Sequence, residues 1–228
     1  MVFSSTIFLF IFLPLVLIGY YLLDRRFKNV FLLVASLLFY AWGEPKFVFV
    51  MIASIIVNYL AALGIYRCRD KDLPKRAKSM LILAVLFNLS LFFVFKYLNF
   101  TTENINLLTS LLGHGAMVPQ TSIALPIGIS FFTFQAMSYV FDVYYGTGQV
   151  QKNPLNVALY ISLFPQLIAG PIVRYQTIAD EIRSRQETTR ILPEALNVFS
   201  SVLLKRQFLR IRWRWRQMPP ILHSQQVR

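Results

Sequence analysis

Gln135, Ser138 and Asp142 are the residues whose types and spacing come closest to chemistry. They sit in the apolar run Leu125 to Tyr144 (LPIGISFFTFQAMSYVFDVY) at i, i+3 and i+7, with Tyr139 among them. On a helix that spacing carries an amide, a hydroxyl and a carboxylate along one face. A carboxylate at membrane depth costs a few kcal/mol unless it is paired or reaches an interface. Asp142 stands near the end of its run, so interfacial hydrogen bonding is one reading and direct proton chemistry the other. A second run, Leu155 to Ile172 (LNVALYISLFPQLIAGPI), carries Pro165, Gln166, Gly170 and Pro171, with Arg174 just beyond it. Prolines and glycines inside both runs predict broken or kinked helices. Backbone freed at membrane depth must be satisfied by protein or by a watered cavity, so such segments line a pathway or site. Ordinary proline kinks packed on neighbouring helices are the plainer reading of the same residues.

The usual catalytic constellations are missing from the sequence. His114 lies in the loop LLGHGAMVPQ and His223 in a basic tail, and neither stands in a helix beside a nucleophile or carboxylate. GxSxG, a Gly-rich phosphate loop and His-Glu-x-x-His do not occur, which removes esterase, nucleotide-binding and zinc-protease readings in their usual forms. Cys68 is the single cysteine, so neither an internal disulfide nor a cysteine-based metal site is expected. No motif calls for a metal or a cofactor.

The elements that position these residues follow from composition. The chain has 228 residues, 56% of them hydrophobic and 15% aromatic, and its mean hydropathy is +0.55. That is more apolar surface than one soluble core buries, and it predicts an all-α, polytopic transmembrane helical bundle with kinked or re-entrant helices. Apolar runs fall at about residues 7–23, 30–42, 47–66, 80–95, 125–144 and 155–172. The run 30–42 is too short to cross alone and reads as half of a hairpin that turns at Gly43-Glu44-Pro45. Between 101 and 112, TTENINLLTSLL places Ile105, Leu107, Leu108, Leu111 and Leu112 near one helical face, which fits a helix lying on the outer surface or a packed loop helix.

The formal net charge of +13 does not point to nucleic acid, because seven of the cations fall in residues 203–228 and the rest of the chain carries only net +6. The cations of the body lie between apolar runs, where they set topology. Residues 67–78 hold six basic and two acidic residues, and 24–28 are also basic. Basic loops in the cytoplasm and the amino terminus outside are therefore self-consistent.

Four stretches carry a family resemblance: the opening MVFSSTIFLFIFLPLVLIGYYLL, then LLVASLLFYAWGEP, PIGISFFTFQAMSYVFDVYYG and LFPQLIAGPIVRY. Together, over about residues 1–200, they resemble the membrane-bound O-acyltransferase family, most of all its bacterial alginate O-acetyltransferase branch, close to the D-alanine transfer protein of teichoic acid synthesis. The resemblance implies acyl transfer across a bacterial inner membrane, from a cytoplasmic acyl donor to a hydroxyl of an exported polysaccharide, through a tunnel built by broken helices. Membrane lipid and the other alginate-acetylation proteins are the partners it implies. On this resemblance Gln135, Ser138, Tyr139, Asp142, Pro165, Gln166, Gly170, Pro171 and Arg174 are the expected tunnel- or core-lining residues. The family's near-invariant base is a histidine in its second half, a region this chain does not reach, so an inactive amino-terminal half is expected.

Residues 203–228 match no family element; they place five arginines and two tryptophans between Arg206 and Arg216. An interfacial basic helix and a disordered tail are two readings. A third is out-of-frame translation: with codons chosen for Leu203 onward, reading from the third base gives LKKAILANSMALATDAANTPQPTSP, which resembles the family's continuation. A small transporter or membrane scaffold is the rival to the acyltransferase reading, but no internal repeat supports it.

Overall fold

A computed structural model describes residues 7–112, 118–119, 122–169 and 173–183. Gly170, Pro171, His114, His223 and the tail 203–228 lie outside the described residues. Within them every regular element is helical.

The chain opens with a π-helical turn, Phe8–Phe12, that runs directly into α1, Leu13–Leu22. Pro14 has no N–H to give to the preceding turn, and the ladder widens there, with the Leu13 N–H donating back to Phe8 O. Helix α2 spans Arg25–Gly43, longer than the apolar run 30–42 by a turn at its start. Asp24 holds the extended N-cap position, so Arg25, Arg26 and Lys28 belong to the helix and not to a loop. Lys28 is buried with its ammonium 4.6 Å from the centre of the Tyr20 ring.

Helices α3, Val48–Asp70, and α4, Pro74–Lys96, have 23 residues each, about 34 Å at 1.5 Å per residue. Both are long and apolar enough to cross a bilayer core. Only 33% of the apolar window of α3 and 17% of that of α4 is buried inside the protein, which is not how a core helix of a soluble domain sits. The expected basic loop 67–78 is mostly helix: α3 continues through Arg69, α4 starts at Pro74, and only three residues connect them, with Asp72 at φ 53°.

Helix α5, Leu98–Leu111, leaves Ile105, Leu107, Leu108, Leu111 and Leu112 exposed, which favours the surface helix over a packed loop helix. Its polar face clamps the following segment. Asn99 donates to Ile123 O (2.8 Å) and accepts from Ile123 N (3.2 Å), and seven residues on Asn106 treats Val118 the same way, at 2.8 and 3.0 Å.

Helices α6, Ile129–Tyr145, α7, Pro154–Ser162, α8, Phe164–Ala169, and α9, Tyr175–Arg183, complete the described bundle. α3 packs chiefly on α4 and α6, and α2 chiefly on α7, so α2 and α3 diverge after their turn instead of forming a tight hairpin. The core is shared by α3, α4, α6 and α7 around Met51, Ala62, Phe132, Tyr139 and Ile161.

Candidate functional site

The site is built on α6 and on the break between α7 and α8. Pro126 and Gly128 do not kink α6; they precede it. Gly128 (φ 78°) is the left-handed residue before the first turn, and from Ile129 the helix is continuous. It ends at Gly146 (φ 74°), over whose Cα the Arg69 guanidinium lies: a Cβ there would fall 2.7 Å from Nη1. Arg69 donates to Val143 O (2.8 Å), so the C-terminal carbonyls of α6 meet a cation from the end of α3.

The second predicted break is real and falls at Leu163, whose ψ of 115° interrupts the helix. Pro165 has no N–H to give to Ile161, and the residue two before it leaves the helical conformation. An unbroken helix would join the Phe164 N–H to the Tyr160 carbonyl, and the break parts them. Each finds a buried side chain instead: Gln135 Nε2 donates to Tyr160 O at 2.7 Å, and the Phe164 N–H donates to Ser36 Oγ at 3.3 Å. Ser36 in turn donates to Leu32 O (2.7 Å). The rings of Phe8, Phe12, Phe39 and Phe164 pack around the break at 5.3 to 6.0 Å between centroids, which ties the first helix and α2 to α8.

Tyr139 takes part in a different set of contacts. Its hydroxyl accepts from Gln151 N (3.2 Å), and its ring meets the edge of Tyr175 at 4.8 Å, which also meets Tyr160 at 5.2 Å. The Tyr160 hydroxyl donates to Val173 O (2.8 Å). These three tyrosines hold Val173 and the start of α9 against α6 and α7. Gln166 is buried with its Nε2 unbonded, and Pro165 is exposed.

Ser138, Asp142 and Arg174 come together elsewhere, in a cleft of about 420 Å³ along the outer face of α6. Phe134, Met137, Phe141 and Tyr145 form its apolar wall, and Thr147 completes the polar end. The turn after α6 folds back on Asp142: Gly148 N donates to its carbonyl (3.1 Å), and Thr147 Oγ1 reaches Oδ1 at 3.4 Å. Asp142 Oδ2 is buried and has no hydrogen-bond partner. Arg174 is exposed, and among the described residues it forms no ion pair with Asp142. A second cleft of about 620 Å³ at the same end is lined by Tyr66, Arg69, Asp70, Gln151 and Lys152 among others.

The polar line read from the sequence thus runs along a border. Gln135 and Tyr139 face inward, Ser138 and Asp142 open on the cleft, and Arg174 joins them from the start of α9. Among the described residues no cluster of His, Cys, Asp or Glu has metal-binding geometry. Ser36, Tyr160 and Tyr175 were missed from the sequence. Ser36 had a signal, as the one serine within the otherwise apolar and aromatic LLVASLLFY.

Comparison with known proteins bears on what this arrangement serves. The probable alginate O-acetylase AlgI of Pseudomonas syringae is 37% identical over 209 residues, 92% of this chain. The chain is a homologue of the bacterial alginate O-acetylases. The corresponding protein of Pseudomonas aeruginosa is also 37% identical over 92% of the chain. The peptidoglycan O-acetyltransferase of Helicobacter pylori is 31% identical over 90% of it. The chain spans 40% of the length of the two alginate O-acetylase relatives and 44% of the peptidoglycan enzyme. No family model and no solved structure matches it.

Proposed function

We propose that this chain serves O-acyl transfer at a bacterial inner membrane, as part of a membrane-bound O-acyltransferase that acetylates hydroxyls of an exported polysaccharide. The observation that carries this reading is 37% identity over 92% of the chain to alginate O-acetylases, which takes in both the break at Leu163 and the polar face of α6. Alginate is the acceptor named for those relatives, and peptidoglycan for the Helicobacter protein.

The reaction joins the acceptor hydroxyl oxygen to the acyl carbonyl carbon. The donor's leaving group departs as that bond forms, and a general base takes the hydroxyl proton. Both histidines of this sequence lie outside the described residues, so the base is not assigned. The described part supplies the framework: α8, set off from α7 at Leu163, carries Pro165 and Gln166, and Gln135 and Tyr139 hold the surrounding backbone. Gly170 and Pro171, which the resemblance also assigns to the path, lie outside the described residues. The amino terminus lies outside in this reading. Arg69, Lys71, Lys75, Lys152 and Arg174 then stand at the cytoplasmic end, where the acyl donor arrives, and the partners are the donor, the polysaccharide and the other proteins of alginate acetylation.

Deleting the gene in its own host and measuring the ester-linked acetate of the exported polysaccharide tests this. The acetate should fall on deletion and return when the intact gene is restored. An unchanged acetate content would contradict the proposal.

A further inference from the structure

We infer that the cleft along the outer face of α6 is a binding site for a phospholipid with a primary ammonium headgroup, of the phosphoethanolamine class. The inference rests on the membrane setting of the bundle and not on the acyl-transfer reading.

Charge comes first. Asp142 is 9% exposed; its Oδ1 has a long contact with Thr147, and its Oδ2 is buried with no partner. An unpaired buried carboxylate costs several kcal/mol, and a cation or an N–H donor removes that cost. Arg174 lines the same cleft, is exposed, and is not paired with Asp142 among the described residues. A carboxylate and a guanidinium that share a cleft without joining each other complement a ligand with both signs of charge. A phosphate suits the fork of Arg174, and an ammonium with N–H groups suits Asp142. Ser138 and Thr147 add hydroxyls between apolar wall and charged end.

Shape and depth agree with a lipid. From Phe134 to Tyr145 the face covers eleven helical steps, about 16 Å, close to half the roughly 30 Å hydrocarbon core. Phe134 is 40% exposed and Tyr145 68%, and with Met137 and Phe141 they form an apolar strip suited to an acyl chain. The polar end of the strip stands at the level of Arg69, Asp70 and Lys152, residues that mark an interface. An acyl chain on the strip therefore brings its headgroup to Asp142 and Arg174.

The test uses the full chain purified in detergent and exposed to equal amounts of phosphatidylethanolamine, phosphatidylcholine and phosphatidylglycerol, with retained lipid measured by native mass spectrometry. Phosphatidylethanolamine should be retained on the order of tenfold over phosphatidylcholine, which has no N–H to donate. Asp142→Asn should abolish that preference, and Arg174→Gln, at an exposed position, should lower retention of all three lipids. Thermal unfolding of each variant establishes that it is folded before it is compared. Equal retention of the ethanolamine and choline lipids by the unaltered chain would overturn the inference, whether or not a variant folds. So would a preference that survives Asp142→Asn, or preferential retention of phosphatidylglycerol. Stabilisation of lipid-free protein by soluble phosphoethanolamine to the same degree as by the lipid would overturn the lipid assignment.

Discussion

Gln135 is the polar residue of α6 that meets the break between α7 and α8. Its amide is the partner of a carbonyl that the break at Leu163 leaves free, and it is 2% exposed, so water does not take its place. Gln135→Leu would keep the volume and remove the donor. The orphaned Tyr160 carbonyl should then cost about 1–3 kcal/mol, read as a lower midpoint of thermal unfolding in detergent. An unchanged midpoint would show that the break is satisfied some other way. Ser36 supplies the complementary acceptor, and it also donates to Leu32, so its hydroxyl closes a chain of two hydrogen bonds.

Among the elements, α3 and α4 show how much was legible in the sequence and why the rest was not. Their apolar runs announce two spans directly, because a long helix of nearly unbroken apolar residues has few other places to go. The amides of Asn58 and Asn88, deep in those runs, pass unnoticed in a one-dimensional reading. In the structure each is fully buried and donates to the other's oxygen, at 3.1 and 2.7 Å. Each also donates to a carbonyl one turn back on its own helix. Register between two helices is not written in either one's periodicity, so this pair could not be foreseen. The same limit hid the Asn99 and Asn106 clamp, whose partners are backbone groups in an irregular segment. The break at Leu163 was legible because Pro165 enforces it, whereas Pro126 and Gly128 marked a helix start that the apolar run alone placed four residues too early. Replacing Asn58 with Leu should destabilise the α3–α4 contact by about 1–2 kcal/mol, since Asn88 is left half satisfied. The double change to Leu at 58 and 88 should recover much of that loss in the same unfolding measurement. A double variant weaker than either single would contradict the pairing.

The whole molecule poses the question of sidedness. The end of α3, the end of α6, the start of α7 and the start of α2 gather at one end: Arg69 bonds α6, and Asn29 on α2 donates to Asn156 on α7 (3.1 Å) and to Ile182 O on α9 (3.0 Å). The cations of the α3–α4 turn and of both clefts collect at that end, which by charge should be cytoplasmic. Leu73→Cys, made with Cys68→Ser because Cys68 is a free thiol, should resist an impermeant thiol reagent in intact cells and react in opened membranes. Labelling in intact cells would invert the topology. Sidedness and chemistry meet in the most direct test of the account: sided transfer of an acetyl group by host membranes that carry or lack this chain. Inside-out vesicles, which expose the cytoplasmic face, are given radiolabelled acetyl-coenzyme A, and label is followed into alkali-labile esters of the polysaccharide on the opposite face. Label should enter the polymer only when the enzyme that carries this chain is present. Equal labelling with and without the chain would contradict it.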